Sequence, residues 1–207
     1  MLKKILNNFK DKKYNQKFRE INLAITKLDV RNSVNEDSFI IHAIKSIEDL
    51  DRTINLLAKR LREWYGIHNP EFSRAVQEHE KFVKEILENS KDDLLKKLGI
   101  KSEDSIGADL GQTNIEPMKR LAQQIYDLYQ LRKSNFDYIS TLMESYCPNM
   151  MMVCDAMVAA RLIEHAGSLK RLSLLPASTI QILGAEKALF RHMKTGAKSP
   201  KHGIIIS

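Results

Sequence analysis

The stretch EDSFIIHAIKSIEDLDRTINLLAKRLREWY, residues Glu36–Tyr65, decides the fold. Within it Ala43, Ile47, Leu50, Ile54, Leu57, Leu61 and Trp64 are all apolar and recur at alternating spacings of four and three. That alternation keeps one narrow apolar stripe along a helix and marks a coiled-coil seam. A second stretch repeats it. After Pro117, a residue suited to a helix's first turn, Leu121, Ile125, Leu128, Arg132, Asn135, Ile139 and Leu142 follow the same alternation. Arg132 and Asn135 interrupt this second stripe. Polar residues inside a seam cost stability but fix register and partner number, which favours a specified pairing. The core of a simple helical bundle accounts for the two residues equally well. Together the stretches predict the arms of a helical hairpin, each of about 28 residues and roughly 40 Å at 1.5 Å per residue.

Outward from the arms, the chain of 207 residues carries only five prolines and eight glycines, and its apolar pattern is helical rather than alternating. The expectation is an all-α protein. Between the arms, Phe72 to Leu98 reads as one further helix stopped near Gly99, followed by a short turn or loop through SEDSIGADLGQTNIEP. Cys147-Pro148 should end the second arm. Beyond it come Met150, Met151, Met152, Cys154, Ala156, Met157, Ala159 and Ala160, a composition that suits close helix packing; an adaptable methionine contact surface is the other reading. Shorter helices divided by Gly167, Pro176 and Gly184 complete the chain.

Charge is concentrated in the last part. Between Arg161 and Ile206 the cations are Arg161, Lys170, Arg171, Lys187, Arg191, Lys194, Lys198 and Lys201, against Glu164 and Glu186 only, so this segment has a net +6 where the whole chain has +7. A cluster of this kind is the electrostatic footprint of a polyanion site, and RNA or DNA phosphates are the commonest such partners; a merely solvated basic face is the alternative. Lys187, Arg191 and Lys194 recur at i, i+4 and i+7 on a helix predicted over Ala188–Lys194, with Leu189, Phe190 and Met193 largely on the opposite, packing face. Ahead of that helix, Gly184, Ala185, Glu186 and Lys187 form a turn. Its free N–H groups suit a phosphate. Equally, Gly184 could only end the preceding helix while Glu186 complements the dipole of the next.

No catalytic constellation stands out. His42, His68, His79, His165, His192 and His202 are scattered, without a second ligand at metal spacing; His165 and His202 could donate to phosphate or serve structure alone. The serines at 168, 173 and 178 lack a nucleophile elbow, and no Walker lysine loop is present. Cys147 and Cys154 lie too far apart along a helix for a disulfide and offer no paired zinc motif, which fits a reducing, intracellular compartment. No apolar run approaches the roughly 20 residues of a membrane span. A binding protein without metal or cofactor is the expectation, not an enzyme.

The run LIEHAGSLKRLSLLPASTIQILGAEKALFRHMKTGAKSPKHG at Leu162–Gly203, with EDSFIIHAI at Glu36–Ile44 and INLLAKRLREWY at Ile54–Tyr65, closely resembles the Nop family of ribonucleoprotein scaffolds, in particular its archaeal box C/D guide-RNA members. The resemblance extends from about Tyr14 to the end. It implies a long coiled-coil hairpin followed by a small helical Nop domain, with an N-terminal helical segment at 1–35, the hairpin at 36–147 and a partial Nop RNA-binding domain at 148–207. The coiled coil would make a homodimer. The Nop domain would clasp a kink-turn RNA already held by a small ribosomal-protein-like subunit. In such assemblies fibrillarin transfers a methyl group from S-adenosylmethionine to a ribose 2′-hydroxyl. Gly184, Ala185, Glu186 and Lys187 match the family's GAEK turn, Ala188 to Arg191 its ALFR motif, and Lys198 and Lys201 a further RNA-contacting loop; Lys170 and Arg171 join them as RNA-binding candidates.

Three departures from the pattern carry expectations. Most members place an α/β domain, holding most of the fibrillarin contact, before the region that begins here near Tyr14, so fibrillarin is expected as a partner of the assembly, with its direct contact to this chain left open. The Nop domain normally continues past the position of Ser207, so the RNA surface is expected to be incomplete, either in a piece of a longer scaffold or in a naturally short relative. Cys154-Asp155 replaces small apolar residues and glycine, setting a carboxylate beside a close-packed helix pair unless it meets water. A coiled-coil interaction module with little RNA affinity and a spliceosomal Nop paralogue are the competing assignments. The expected location is the archaeal cytoplasm, or the nucleolus in a eukaryote.

Overall fold

A computed structural model describes residues 12–206, which contain helices and no strand. Helix α1 (Lys12–Asn32) leads into the long arm α2 (Glu36–Tyr65). Three short helices follow, α3 (Pro70–Ala75), α4 (His79–Glu88) and α5 (Lys91–Lys97), before the second arm, α6 (Gln112–Tyr146). The remainder is α7 (Pro148–Met151), α8 (Ala156–Ala166), α9 (Leu169–Ser173), α10 (Ala177–Ile182) and α11 (Glu186–Thr195), closed by a 3-10 turn at Ile204–Ile206. Residues 1–11 of the predicted N-terminal helical segment lie outside the described residues. In α1, Ile21, Ile25 and Leu28 are each about half exposed.

The two arms pack along each other through a seam that keeps Ile47, Ile54, Leu61, Ile125 and Ile139 of the predicted one and is elsewhere set one residue further on. The buried residues of α2 are Ile40, Ile44, Ile47, Ile54, Ala58, Leu61 and Tyr65. Ala43, Leu50, Leu57 and Trp64 lie at its edge, each one residue before Ile44, Asp51, Ala58 and Tyr65. On α6 the buried positions are Met118, Ala122, Ile125, Ile139 and Met143, with Leu121, Leu128 and Leu142 half-buried beside them. A third helix explains the rotation. Toward one end α4 packs against both arms, and toward the other α8 does so. Each widens the buried stripe beyond the two-helix seam that alternation alone describes.

Two apolar clusters result. The distal one gathers Ile54, Ala58, Leu61, Tyr65, Phe72, Phe82, Ile86, Met118, Ala122 and Ile125. Phe72 and Phe82 stack at 5.4 Å, and Tyr65 meets both edge-on, with centroids at 6.3 and 5.9 Å. The proximal cluster joins Ile40, Ile44, Ile47, Ile139 and Met143 of the arms to Ala159, Ala160 and Ile163 of α8, Leu172 of α9 and Ile204. The segment after Pro148 therefore shares its core with the hairpin root.

Between the clusters the seam is polar. Arg132 donates through Nε to Asp51, with a second contact from Nη2 at 3.4 Å, and Asn135 donates to Ser46 at 3.2 Å. Both interruptions of the predicted stripe thus cross to the opposite arm and set its register. The Arg132 and Asp51 side chains remain 40% and 36% exposed, so solvent screens the pair. Arg132→Ala should lower stability by no more than about 1 kcal/mol in urea unfolding, and Asp51→Arg with Arg132→Asp should restore most of that loss.

Three expectations about the helices are corrected. The single helix over Phe72–Leu98 is three helices. Asn69 caps α3, Ser90 caps α5 through reciprocal bonds with Asp93, and Arg62 donates to the Ser73, Val76 and Gln77 carbonyls, holding the chain open between α3 and α4. The second arm begins at Gln112, ahead of Pro117, which sits inside the helix and removes one backbone donor from it. The methionine run divides: Met150, Met151 and Met157 pack on the proximal cluster, whereas Met152 and Val153 are almost fully exposed. Asp155, set beside close-packed helices, caps α8 by accepting from the Val158 N–H at 2.8 Å.

Candidate nucleic-acid interface

The basic segment is a set of short helices laced together by backbone bonds. Helix α8 ends at Gly167, whose φ of 86° is left-handed, and Ser168 caps α9 by accepting from Arg171 N–H at 3.0 Å. The tail folds back. Gly203 N–H donates to the Gln181 carbonyl at 2.8 Å, Ile204 N–H to Leu183 at 2.9 Å, and the Gln181 amide to the Lys201 carbonyl at 2.9 Å. His192 bonds the Ala197 carbonyl, fixing the turn that follows α11. Lys198 and Lys201 are thus carried on a strap fastened to α10 and α11.

Gly184 is needed for its shape. Its φ is +85°, and a Cβ there would lie 2.5 Å from Cγ1 of Ile204. Gly184→Ala should therefore cost about 1–3 kcal/mol and lower the thermal midpoint, as strain and the Ile204 clash loosen the strap. Its N–H donates to Glu186 Oε1 at 2.7 Å. Burial pushes the Glu186 carboxyl up, but the Gly184 N–H, its own N–H and nearby His165 outweigh this and hold it below its ordinary value. The turn ahead of α11 is therefore met by the chain's own carboxylate, the arrangement of the capping reading.

Lys187, Arg191 and Lys194 lie exposed along α11 at helical spacing, with Lys198 and Lys201 exposed on the strap and Lys170 and Arg171 exposed on α9. Among the described residues none of these seven forms an ion pair. Arg161, the eighth cation of the segment, instead faces Glu48 of α2 at 3.6 Å, and Glu164 pairs with Lys45 at 3.3 Å. One acid is taken by the hairpin and the other by the Gly184 turn. The outward charge is therefore almost purely positive, able to attract a phosphate backbone.

The expected packing face of α11 is corrected. No residue of this helix is buried, and Phe190 and Met193 are 58% and 69% exposed. Apolar and basic side chains are presented together, with Leu174 of the α9–α10 connection also exposed. His68, scattered in the sequence, is buried at the distal end, where its Nδ1 meets the Ala108 carbonyl at 2.9 Å. Among the described residues no group of histidine, cysteine and carboxylate side chains could hold a metal ion, and no helix is long and apolar enough to cross a membrane.

Residues 46–207 match the Nop family model, described as "snoRNA binding domain, fibrillarin". The chain belongs to the Nop family. An uncharacterized NOP5 family protein of Methanocaldococcus jannaschii is 35% identical over 214 residues, covering 96% of this chain and 51% of the relative. Nucleolar protein 56 of Saccharomyces cerevisiae is 38% identical over 202 residues, 88% of this chain and 40% of its own length. Nucleolar protein 58 of Candida albicans is 38% identical over 183 residues, 82% of this chain and 36% of its own. This Nop chain thus spans about half or less of these relatives. Among solved structures, a fibrillarin/Nop5p complex matches with a TM-score of 0.47 and 28% identity, covering 87% of this chain and 58% of that one.

Proposed function

We propose that this Nop chain is a non-enzymatic RNA-binding scaffold of a box C/D guide ribonucleoprotein. It binds a kink-turn RNA together with that RNA's small ribosomal-protein-like subunit, and its hairpin joins two copies into a homodimer. The RNA-binding candidates are Lys170, Arg171, Lys187, Arg191, Lys194, Lys198 and Lys201, with Gly184, Ala185 and Glu186 shaping the turn that presents α11. The observation that carries this reading is the set of seven exposed cations, in no ion pair among the described residues, on short helices and a strap beside the hairpin root. Phosphates supply affinity, while RNA shape and the subunit's surface supply selectivity. The exposed Phe190 and Met193 suit that second, protein contact.

Fibrillarin is the proposed enzyme of the assembly, acting on ribose 2′-hydroxyls; the description of the matching family, which names fibrillarin, supports the pairing. The relatives named nucleolar proteins support a nucleolar location if the source is eukaryotic; in an archaeon the proposed location is the cytoplasm.

Equilibrium binding to a kink-turn RNA, with and without the subunit, tests the reading. Tight binding only when the subunit is present, and its loss on an RNA whose kink is straightened by mutation, is the expected result. Equal binding to both RNAs would reduce the module to a general polyanion surface. No binding at all would leave the hairpin as a protein-interaction module.

A further inference from the structure

We propose that Asp37 is a positioning residue for the RNA-binding face: through the Leu169 N–H it fixes α9, with Lys170 and Arg171, to the root of the hairpin. This rests on the RNA-binding reading above and adds to it a residue outside the basic segment. Asp37 lies in the first turn of α2 and is only 5% exposed. A carboxylate so buried requires partners, and one comes from far along the chain. Leu169 N–H donates to its Oδ1 at 3.0 Å, and nearby at the end of α6 the Tyr146 hydroxyl is pushed above its ordinary pKa by burial and by the Asp37 carboxylate. The start of one arm and the first residue of α9 therefore meet on one side chain, with the end of the other arm beside it.

Helix α9 needs such a tether. It has five residues, and Leu172 is its only buried one, so little apolar area holds it in place. Lys170 and Arg171 directly follow the tethered residue. Without the carboxylate the proximal core of Ile44, Ile139, Met143 and Ala160 would persist, while α9 would lose its fixed position. The two cations would then be ordered only on binding, at an entropic cost to affinity. Deformation of the hairpin root by a bound partner would reach the RNA face by the same contact.

The test compares Asp37→Ala, Asp37→Asn, Leu169→Pro and Leu169→Ala in the full chain, by kink-turn RNA binding with the subunit and by amide hydrogen exchange at Leu169 where that N–H remains. Proline is accepted at the first residue of a helix and deletes the donor, whereas Leu169→Ala keeps the donor and controls for the lost side chain. Expected results are an about tenfold loss of affinity in Asp37→Ala and in Leu169→Pro, with no further loss when they are combined. Leu169→Ala should bind more tightly than Leu169→Pro, and Asp37→Asn, which keeps the acceptor, should retain most of the affinity. Faster exchange at Leu169 in Asp37→Ala, with helicity and melting little changed, should accompany this.

Unchanged affinity in a folded Asp37→Ala chain, or additive losses in the double variant, would overturn the proposal. If Asp37→Ala does not fold, equal affinities of Leu169→Pro and Leu169→Ala would overturn it alone. If the unsubstituted chain binds no RNA, the RNA-binding reading fails separately. Exchange at Leu169 then decides the tether, which is contradicted if Asp37→Ala leaves that amide as protected as before.

Discussion

Replacing Lys187 and Arg191 together by alanine should weaken the complex with kink-turn RNA and its subunit by about a hundredfold, while circular dichroism and thermal melting stay unchanged. Both side chains are exposed on α11 and neither forms an ion pair among the described residues, so their removal costs the folded protein nothing that the structure shows. Alanine in turn raises intrinsic helix propensity slightly. A hydrogen bond between a cation and phosphate is worth about 1.5 kcal/mol or more, roughly tenfold in affinity for each cation. The slope of log affinity against log salt should become shallower by about 1.5, as two phosphate contacts are lost. A fall in helicity instead would assign both residues to the fold.

Leu61→Ala should destabilise the protein by about 2–5 kcal/mol in urea unfolding, and Leu57→Ala by about 1 kcal/mol. Leu61 is fully buried and lies in the distal cluster with Phe82, Met118 and Ile125. Leu57, a predicted seam residue of equal standing in the sequence, sits half-buried at the seam's edge. An alanine at Leu61 leaves a cavity that the stacked Phe72–Phe82 pair has little freedom to fill, whereas at Leu57 solvent takes the vacated space. Equal losses at both positions would mean that the seam follows the sequence alternation rather than the packing seen here. Ala58→Leu provides the converse, since overpacking a fully buried alanine should cost about 1–3 kcal/mol.

The sequence made the hairpin legible because a helix repeats every 3.6 residues and two helices need only one stripe each. Ile47, Ile54, Leu61, Ile125 and Ile139 belong to the seam on either reading. Leu50, Leu121, Leu128 and Leu142 lie beside it because α4 and α8 pack in from one side, and the local pattern of an arm carries no mark of which side a third helix will take. Arg132 and Asn135 were visible as interruptions, but their partners Asp51 and Ser46 lie 81 and 89 residues away. Periodicity alone does not pair residues over such separations.

Within the basic segment, exposed cations were readable from composition and helical spacing, and the turn at Gly184 from the glycine itself. The Gly184 N–H offered two readings because both a phosphate and a nearby carboxylate satisfy the same donor; the geometry shows Glu186 there. Packing of Leu189, Phe190 and Met193 was expected from amphipathicity, yet only Leu189 is half-buried, while Phe190 and Met193 stay exposed among the described residues. Asp37 carried no local signal, since a first-turn acid is ordinary helix chemistry and Leu169, its distant partner, lies 132 residues on.

The central claim, that the outward cations bind RNA phosphates as part of a composite surface, is tested most directly by a salt titration of affinity for kink-turn RNA with its subunit bound. For the unsubstituted chain the slope of log affinity against log salt should fall between about −3 and −6, as expected for several phosphate contacts. An affinity indifferent to salt would contradict it and leave the basic face without a part in RNA recognition.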